Sequence, residues 1–444
     1  MAQLPSFISV DKANDDINQM IKTFEEVHYN PYFNIKKEKF YQEKEQLLNG
    51  WEEDSISYKK FIVTGMKLSA LMSGGHSAMD WQNSKIIAEL KLHNYIPFTG
   101  KMVDDNRFVV TKSNNTKIKP GTIIESINGI SIADLYKECM SYVGGIYAFK
   151  NAYCEALFPL YLFFNDELKA PYSIKMNSSN DVIKTAGLSI GELMTFVNSD
   201  QAVVDYSFEI LEDEIGLISY NKCNDYEKFK VFLEKTFEKL KQENIDKLII
   251  DIRENGGGNS ELNDLLLAYI TKKPYQQSSG RYWKVSELAK KTYSENEIYR
   301  SLFGEKFLTQ YMNTSNQEVI KDFDNELLYP VTPQNYFQGK SCLLIGPATF
   351  SSANFLADAV KTYKITTLIG TPTGEYTNDF GEQLTFILKN SGSTVYVSST
   401  YDIGANGNDS ILEPVYPDIE TKTDALKYAV SWMKKDLIIN KSNK

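Results

Sequence analysis

Histidine is the scarcest reactive residue in this chain. Its 444 residues hold three: His28, His76 and His93. So low a count argues against a histidine-rich metal centre, and any catalytic histidine must be one of the three. The four cysteines, Cys139, Cys154, Cys223 and Cys342, show no C-x-x-C spacing, so neither a zinc knuckle nor a redox pair is indicated. Cys342 lies in an apolar run and reads as a core thiol. No apolar run approaches the roughly 18 residues of a membrane span. Positive charge is in deficit, 48 Lys and Arg against 58 Asp and Glu, for a net charge of −10. No basic cluster with interleaved aromatics offsets it, which argues against nucleic acid as a partner. Internal repeats and low-complexity tracts are absent. No signal peptide is recognised, since Met1-Ala2-Gln3-Leu4-Pro5 leads into polar sequence.

What is present suffices for sizeable cores. Apolar residues make up 42% of the chain, and its length predicts two or three domains. Residues 1–84 read as an N-terminal helical domain. Ile17, Met20, Ile21, Phe24 and Val27 recur at helical spacing, and a later helix over Ser57–Leu71 stops at Ser73-Gly74-Gly75, just before His76-Ser77. His28 sits amid Tyr29, Tyr32 and Phe33 and reads as a packed structural histidine; nothing marks out His93.

Residues 85–178 read as a β-rich domain. Thr122–Ile127 is a strand, Asn128-Gly129 a hairpin turn, and Ala133–Tyr142 a helix. Residues 179–444 alternate strand and helix, which predicts parallel strands joined by right-handed crossovers. A polar, Tyr-rich, helix-compatible insertion at about 281–332 interrupts that rhythm.

Two stretches carry chemistry. Lys247–Ile252 is a buried strand followed by Arg253-Glu254-Asn255-Gly256-Gly257-Gly258-Asn259. A P-loop would need Lys-Ser or Lys-Thr after the last glycine, and Asn259-Ser260 stands there instead. Such a loop either turns N–H groups into a cleft, where they can donate to an oxyanion, or is a tight turn needing positive φ. The second stretch is Thr349-Phe350-Ser351-Ser352-Ala353, between the strand ending at Ile345-Gly346 and a helix carrying Phe355, Leu356, Ala359 and Val360. A serine at a strand-to-helix junction is either an N-cap or a nucleophile beside unpaired N–H groups.

Four separated motifs, in order, resemble the serine peptidases of the carboxy-terminal processing (tail-specific) family, most closely its tricorn-like branch. They are Gly74-Gly75-His76-Ser77, Asp251-Ile252-Arg253-Glu254-Asn255-Gly256-Gly257-Gly258, Thr349-Phe350-Ser351-Ser352-Ala353, and Glu413-Pro414-Val415-Tyr416-Pro417-Asp418-Ile419. The β-rich segment resembles a PDZ domain, which takes an extended peptide as an added strand. The resemblance implies a ClpP/crotonase-like peptidase core of parallel β-α-β units.

It also implies roles. Ser351 is the nucleophile, His76 the general base, and Gly257 with Ser352 supply the oxyanion-hole N–H groups. Glu413 completes the set, with Asp409 next in line; Ser77 is a further group that would orient the histidine. One branch of the family uses a lysine base after the serine, within a glycine-rich stretch. Here Gly370-Thr371-Pro372-Thr373-Gly374-Glu375-Tyr376 holds no lysine, which shifts the role to His76. Gly74 replaces the aspartate usual before the histidine, and Asn354 replaces a frequent glutamate.

The expected activity is hydrolysis of peptide bonds in proteins or peptides, outside the cytoplasm (periplasmic or secreted), with no metal and no cofactor. The alternative is a catalytically inactive binding module of the same fold, holding an apolar ligand or peptide. A third reading, a crotonase-like acyltransferase or hydrolase, fits the core but not the PDZ-like segment.

Overall fold

The computed structural model describes residues 6–51, 54–72, 74–104, 107–177, 182–197, 204–323, 326–421 and 423–435. Ser73, in the expected glycine stop, lies outside them. The chain forms two compact units, each built from several stretches of sequence. One comprises Met1–Ala202, Trp283–Ile320 and Phe380–Thr400; the other comprises Val203–Tyr282, Lys321–Asp379 and Tyr401–Lys444. Among the described residues, no helix is long and apolar enough to cross a membrane.

The second unit is the α/β core. Its six-stranded sheet runs in sequence order: β1 (Tyr206–Leu211), β2 (Ile215–Tyr220), β3 (Lys247–Asp251), β4 (Lys340–Ile345), β5 (Thr367–Gly370) and β6 (Ile419–Glu420). Only β1 is antiparallel to its neighbour; β2 to β6 are parallel. Strand side chains alternate between two faces, so successive apolar residues enter two cores. Leu248, Ile250, Leu343 and Ile345 pack with helices α1 (Tyr226–Gln242), α2 (Glu261–Ile270) and α3 (Ser352–Thr362). Ile249, Cys342, Leu344 and Ile369 pack with α4 (Ala425–Lys434) through Ala429 and Met433. Each strand of a parallel sheet ends on the same side, so the loops after β3, β4 and β5 converge there.

The first unit holds the N-terminal helices, Val10–Val27, Lys37–Asn49 and Tyr58–Met72, the first and third where periodicity predicts helix. It also holds an antiparallel sheet in the order Phe98–Asp104, Arg107–Ser113, Ile123–Ile127, Tyr172–Met176, Val182–Thr185, with Ile130–Ser131 beside Ile127. Asn128 and Gly129 turn with φ 51° and 83°, the left-handed pair of a tight hairpin. The stretch from Trp283 to Ile320 adds helices Glu287–Glu295 and Glu297–Asn313. Trp283, Tyr293 and Tyr311 from it are buried in the core of this unit.

Candidate active site

Ser351 sits at the end of β4, in a turn that only a special conformation can make. The Ala353 N–H donates to the Phe350 carbonyl, closing four residues. Ser351, the first central residue, has φ 55° and ψ −126°. Those angles belong to a type II′ turn, where glycine is the default. A side chain there is strained, by about 1–3 kcal/mol. Ser351 makes no side-chain cap bond to α3, and its φ is not that of an N-cap. Capping therefore does not explain the serine.

The turn is fixed from both sides. Thr349 Oγ1 donates to the Ile252 carbonyl at 2.9 Å and accepts from the Gly346 N–H at 3.0 Å. The Phe350 N–H donates to the Asn255 carbonyl, and the Gly374 N–H to the Thr349 carbonyl. Loops after β3 and β5 thus clamp the loop after β4. On the downstream side, Asn263 Nδ2 donates to the Ser352 carbonyl at 2.8 Å, and Ser352 Oγ donates to the Gly258 carbonyl at 2.6 Å. Asn354 is buried and donates to the Tyr376 carbonyl at 2.8 Å.

The glycine loop lies directly on the serine. A Cβ on Gly257 would stand 2.6 Å from Ser351 Cβ and 2.9 Å from the Ser352 nitrogen, and Gly257 has φ 95°. Both facts demand glycine. Asn255, fully buried, organises the loop: its Nδ2 donates to the Tyr220 carbonyl, and its Oδ1 accepts the Gly257 N–H at 2.9 Å. Arg253 closes a bidentate pair with Asp251 at 2.9 and 2.7 Å, bracing the loop's root.

Residues 214–421 match the family model of Peptidase family S41. This stretch is a peptidase S41 domain. The chain is a serine-type peptidase with a tail-specific-type α/β core. The chain shares its fold with two solved structures along almost its whole length. One is a mutant of CPAF, 14% identical, with 96% of each chain covered and a TM-score of 0.66. The other is mature CPAF complexed with lactacystin, 15% identical, covering 96% of this chain and 97% of that one, with a TM-score of 0.61. No curated protein matches the chain by sequence.

The other sequence-named residues fall as follows. His76 belongs to the first unit, half-buried, in the turn between helix Tyr58–Met72 and the short strand Ala78–Met79. Its carbonyl accepts from Gln383 Nε2 at 2.7 Å. Ser77 is buried and bonds Ser398 through its Oγ, accepting that residue's N–H at 3.0 Å. The strand itself pairs with Val395 and Tyr396. His28 is fully buried against Phe380, and desolvation, then the nearby Lys284 charge, pushes its pKa down to about 3. Burial, then Lys59, lowers His93 to about 4; its ring meets the Tyr172 hydroxyl at 3.1 Å. Both are neutral packing groups at neutral pH.

Glu413 and Asp409 lie in the second unit with exposed side chains. The Glu413 carbonyl receives Thr377 N–H and Oγ1–H at 2.8 and 2.9 Å. Tyr282 Oη lies 3.5 Å from an Asp409 carboxylate oxygen. The residue that sequence reasoning passed over is Glu375. It is buried, and its Oε2 accepts the Ser351 N–H at 2.6 Å. Its signal was its place in the glycine-rich stretch where one family branch carries a lysine.

Proposed function

We propose that this chain is a serine endopeptidase in which Ser351 attacks the substrate carbonyl. His76 takes the serine proton and returns it to the leaving amine. The Ser352 N–H and the Gly257 N–H hold the oxyanion. The Gly257 N–H rests on the neutral amide oxygen of Asn255; an oxyanion, with its full charge, is the stronger acceptor. Glu413 orients the histidine, with Asp409 and Ser77 as the other groups in reach of that role by sequence. The observation that carries the reading is Ser351 itself: a serine in a glycine conformation, uncapped, at the carboxyl ends of a parallel sheet.

Proteins or peptides are the substrates. The PDZ-like segment receives an extended stretch of the same substrate. A groove of about 800 Å³ there is lined by Met102, Tyr136, Lys137, Met140, Tyr147 and Lys150, along the edge strand Phe98–Asp104. Work outside the cytoplasm is part of this reading and rests on the family resemblance.

The test is labelling with an alkyl fluorophosphonate, run beside cleavage of peptides of rising length. Wild type is expected to take one label on Ser351, Ser351→Ala none, and His76→Ala at least ~100-fold more slowly. Lengthening the peptide is expected to raise kcat/KM. Absence of both label and cleavage in wild type would overturn the peptidase reading in favour of the inactive binding module. A flat length series would remove the groove from the reading.

A further inference from the structure

We infer that Glu375 is a positioning residue that holds Ser351 in its strained attacking conformation; this rests on Ser351 being the nucleophile. In a II′ turn the N–H of the first central residue has no acceptor within the turn. Left unpaired away from water, it would cost about 1–3 kcal/mol on top of the backbone strain. The Glu375 carboxylate accepts it at 2.6 Å, a charge-assisted bond roughly twice as strong as a neutral one.

The carboxylate is delivered by a rigid loop. Around it, Thr373 Oγ1 donates to the Glu375 carbonyl and its N–H to the Val415 carbonyl. The Gly374 N–H bonds Thr349, Asn354 bonds Tyr376, and Thr377 bonds Glu413. Every residue from Thr373 to Thr377 is therefore tied to the core of its own unit. A tether anchored this way transmits position; it is not a flap poised to leave.

The bond also sorts the donors around the serine. With its own N–H given to Glu375, Ser351 has none for an oxyanion. That duty falls to Ser352 and the glycine loop. By holding the nucleophile's own N–H, the carboxylate fixes the backbone from which Oγ projects. Misplacing a reacting atom by about 1 Å costs on the order of 100-fold in rate.

Full-length Glu375→Ala and Glu375→Gln separate the possibilities. Glutamine keeps an oxygen that can accept the Ser351 N–H. Glu375→Ala is expected to slow fluorophosphonate labelling of Ser351, and to lower kcat on a short peptide, by ~100-fold with KM within about twofold. Glu375→Gln is expected to recover both to within about fivefold of wild type. A thermal melt of each variant reports folding, and the glutamine variant carries the test if alanine does not fold. Equal loss in both variants would make the charge itself the agent and overturn positioning. Faster labelling of Glu375→Ala would mark the carboxylate as an inhibitor and overturn it too. Failure of the nucleophile assignment looks different: wild type itself would go unlabelled at Ser351.

Discussion

Replacing Ser351 with glycine should make the protein more stable while destroying its activity. The magnitude follows from the turn. At φ 55° and ψ −126° a residue with a Cβ carries strain, about 2 kcal/mol at the middle of the usual range. Glycine removes that strain but brings extra chain entropy to the unfolded state, about 0.5–1 kcal/mol. The net gain is about 1 kcal/mol, or roughly 2–4 °C in melting temperature for a unit of this size. Ser351→Ala is the control. It removes the same hydroxyl and keeps the Cβ, so it retains the strain. Both variants should lose hydrolysis and fluorophosphonate labelling alike, and only glycine should melt higher. Differential scanning calorimetry of the three proteins reads this directly. If glycine melts no higher than alanine, the serine is not strained and the reasoning from turn geometry fails.

Two further outcomes follow from neighbouring residues. Gly257→Ala should cost at least ~2 kcal/mol and abolish labelling of Ser351, because the new methyl meets Ser351 Cβ at 2.6 Å from a backbone at φ 95°; a melt and labelling within twofold of wild type would contradict the packing. Asp358 on α3 is buried, and desolvation raises its pKa to about 6, against bonds from the Ala405 N–H and Thr362 that lower it. A carboxyl with a raised folded pKa takes up protons on folding between about pH 4 and 6, so its charge costs stability that grows as pH rises through that window. The melting advantage of Asp358→Asn over wild type should therefore widen from pH 4 to pH 7, by the equivalent of about 2 kcal/mol; a constant gap would place the carboxyl in a wetter site.

Local patterns in the chain carry most of the architecture. Apolar runs of strand length ending in glycine, amphipathic helices between them, and Asn128-Gly129 fix their elements without help from distant residues. The Ser351 junction is legible as a strand-to-helix turn, but its strained conformation is not, because loops after β3 and β5 hold it. Nor is Glu375. Its role depends on the loop after β5 returning to the end of β4, a contact between residues separated by a helix and a strand. Periodicity is silent about where a loop's side chain ends up. Asn255 is a similar case: it reads as a turn former, yet its amide ties Tyr220 to Gly257. The insertion at 281–332 reads as polar because charged, amide and hydroxyl side chains crowd it. Tyr293 and Tyr311 are nonetheless fully buried, the former bonding Ser399 and the latter the Lys284 carbonyl.

The interleaving of the two units decides how this protein can be cut. Residues 214–421, the stretch recognised as peptidase, contain Trp283–Ile320 and Phe380–Thr400, which belong to the other unit. A fragment with those ends would carry Trp283, Tyr293, Leu384 and Val397 away from the core that buries them. It would also leave behind Tyr206–Leu211 and the closing helix Ala425–Lys434. Expression of the family segment alone should therefore yield insoluble material.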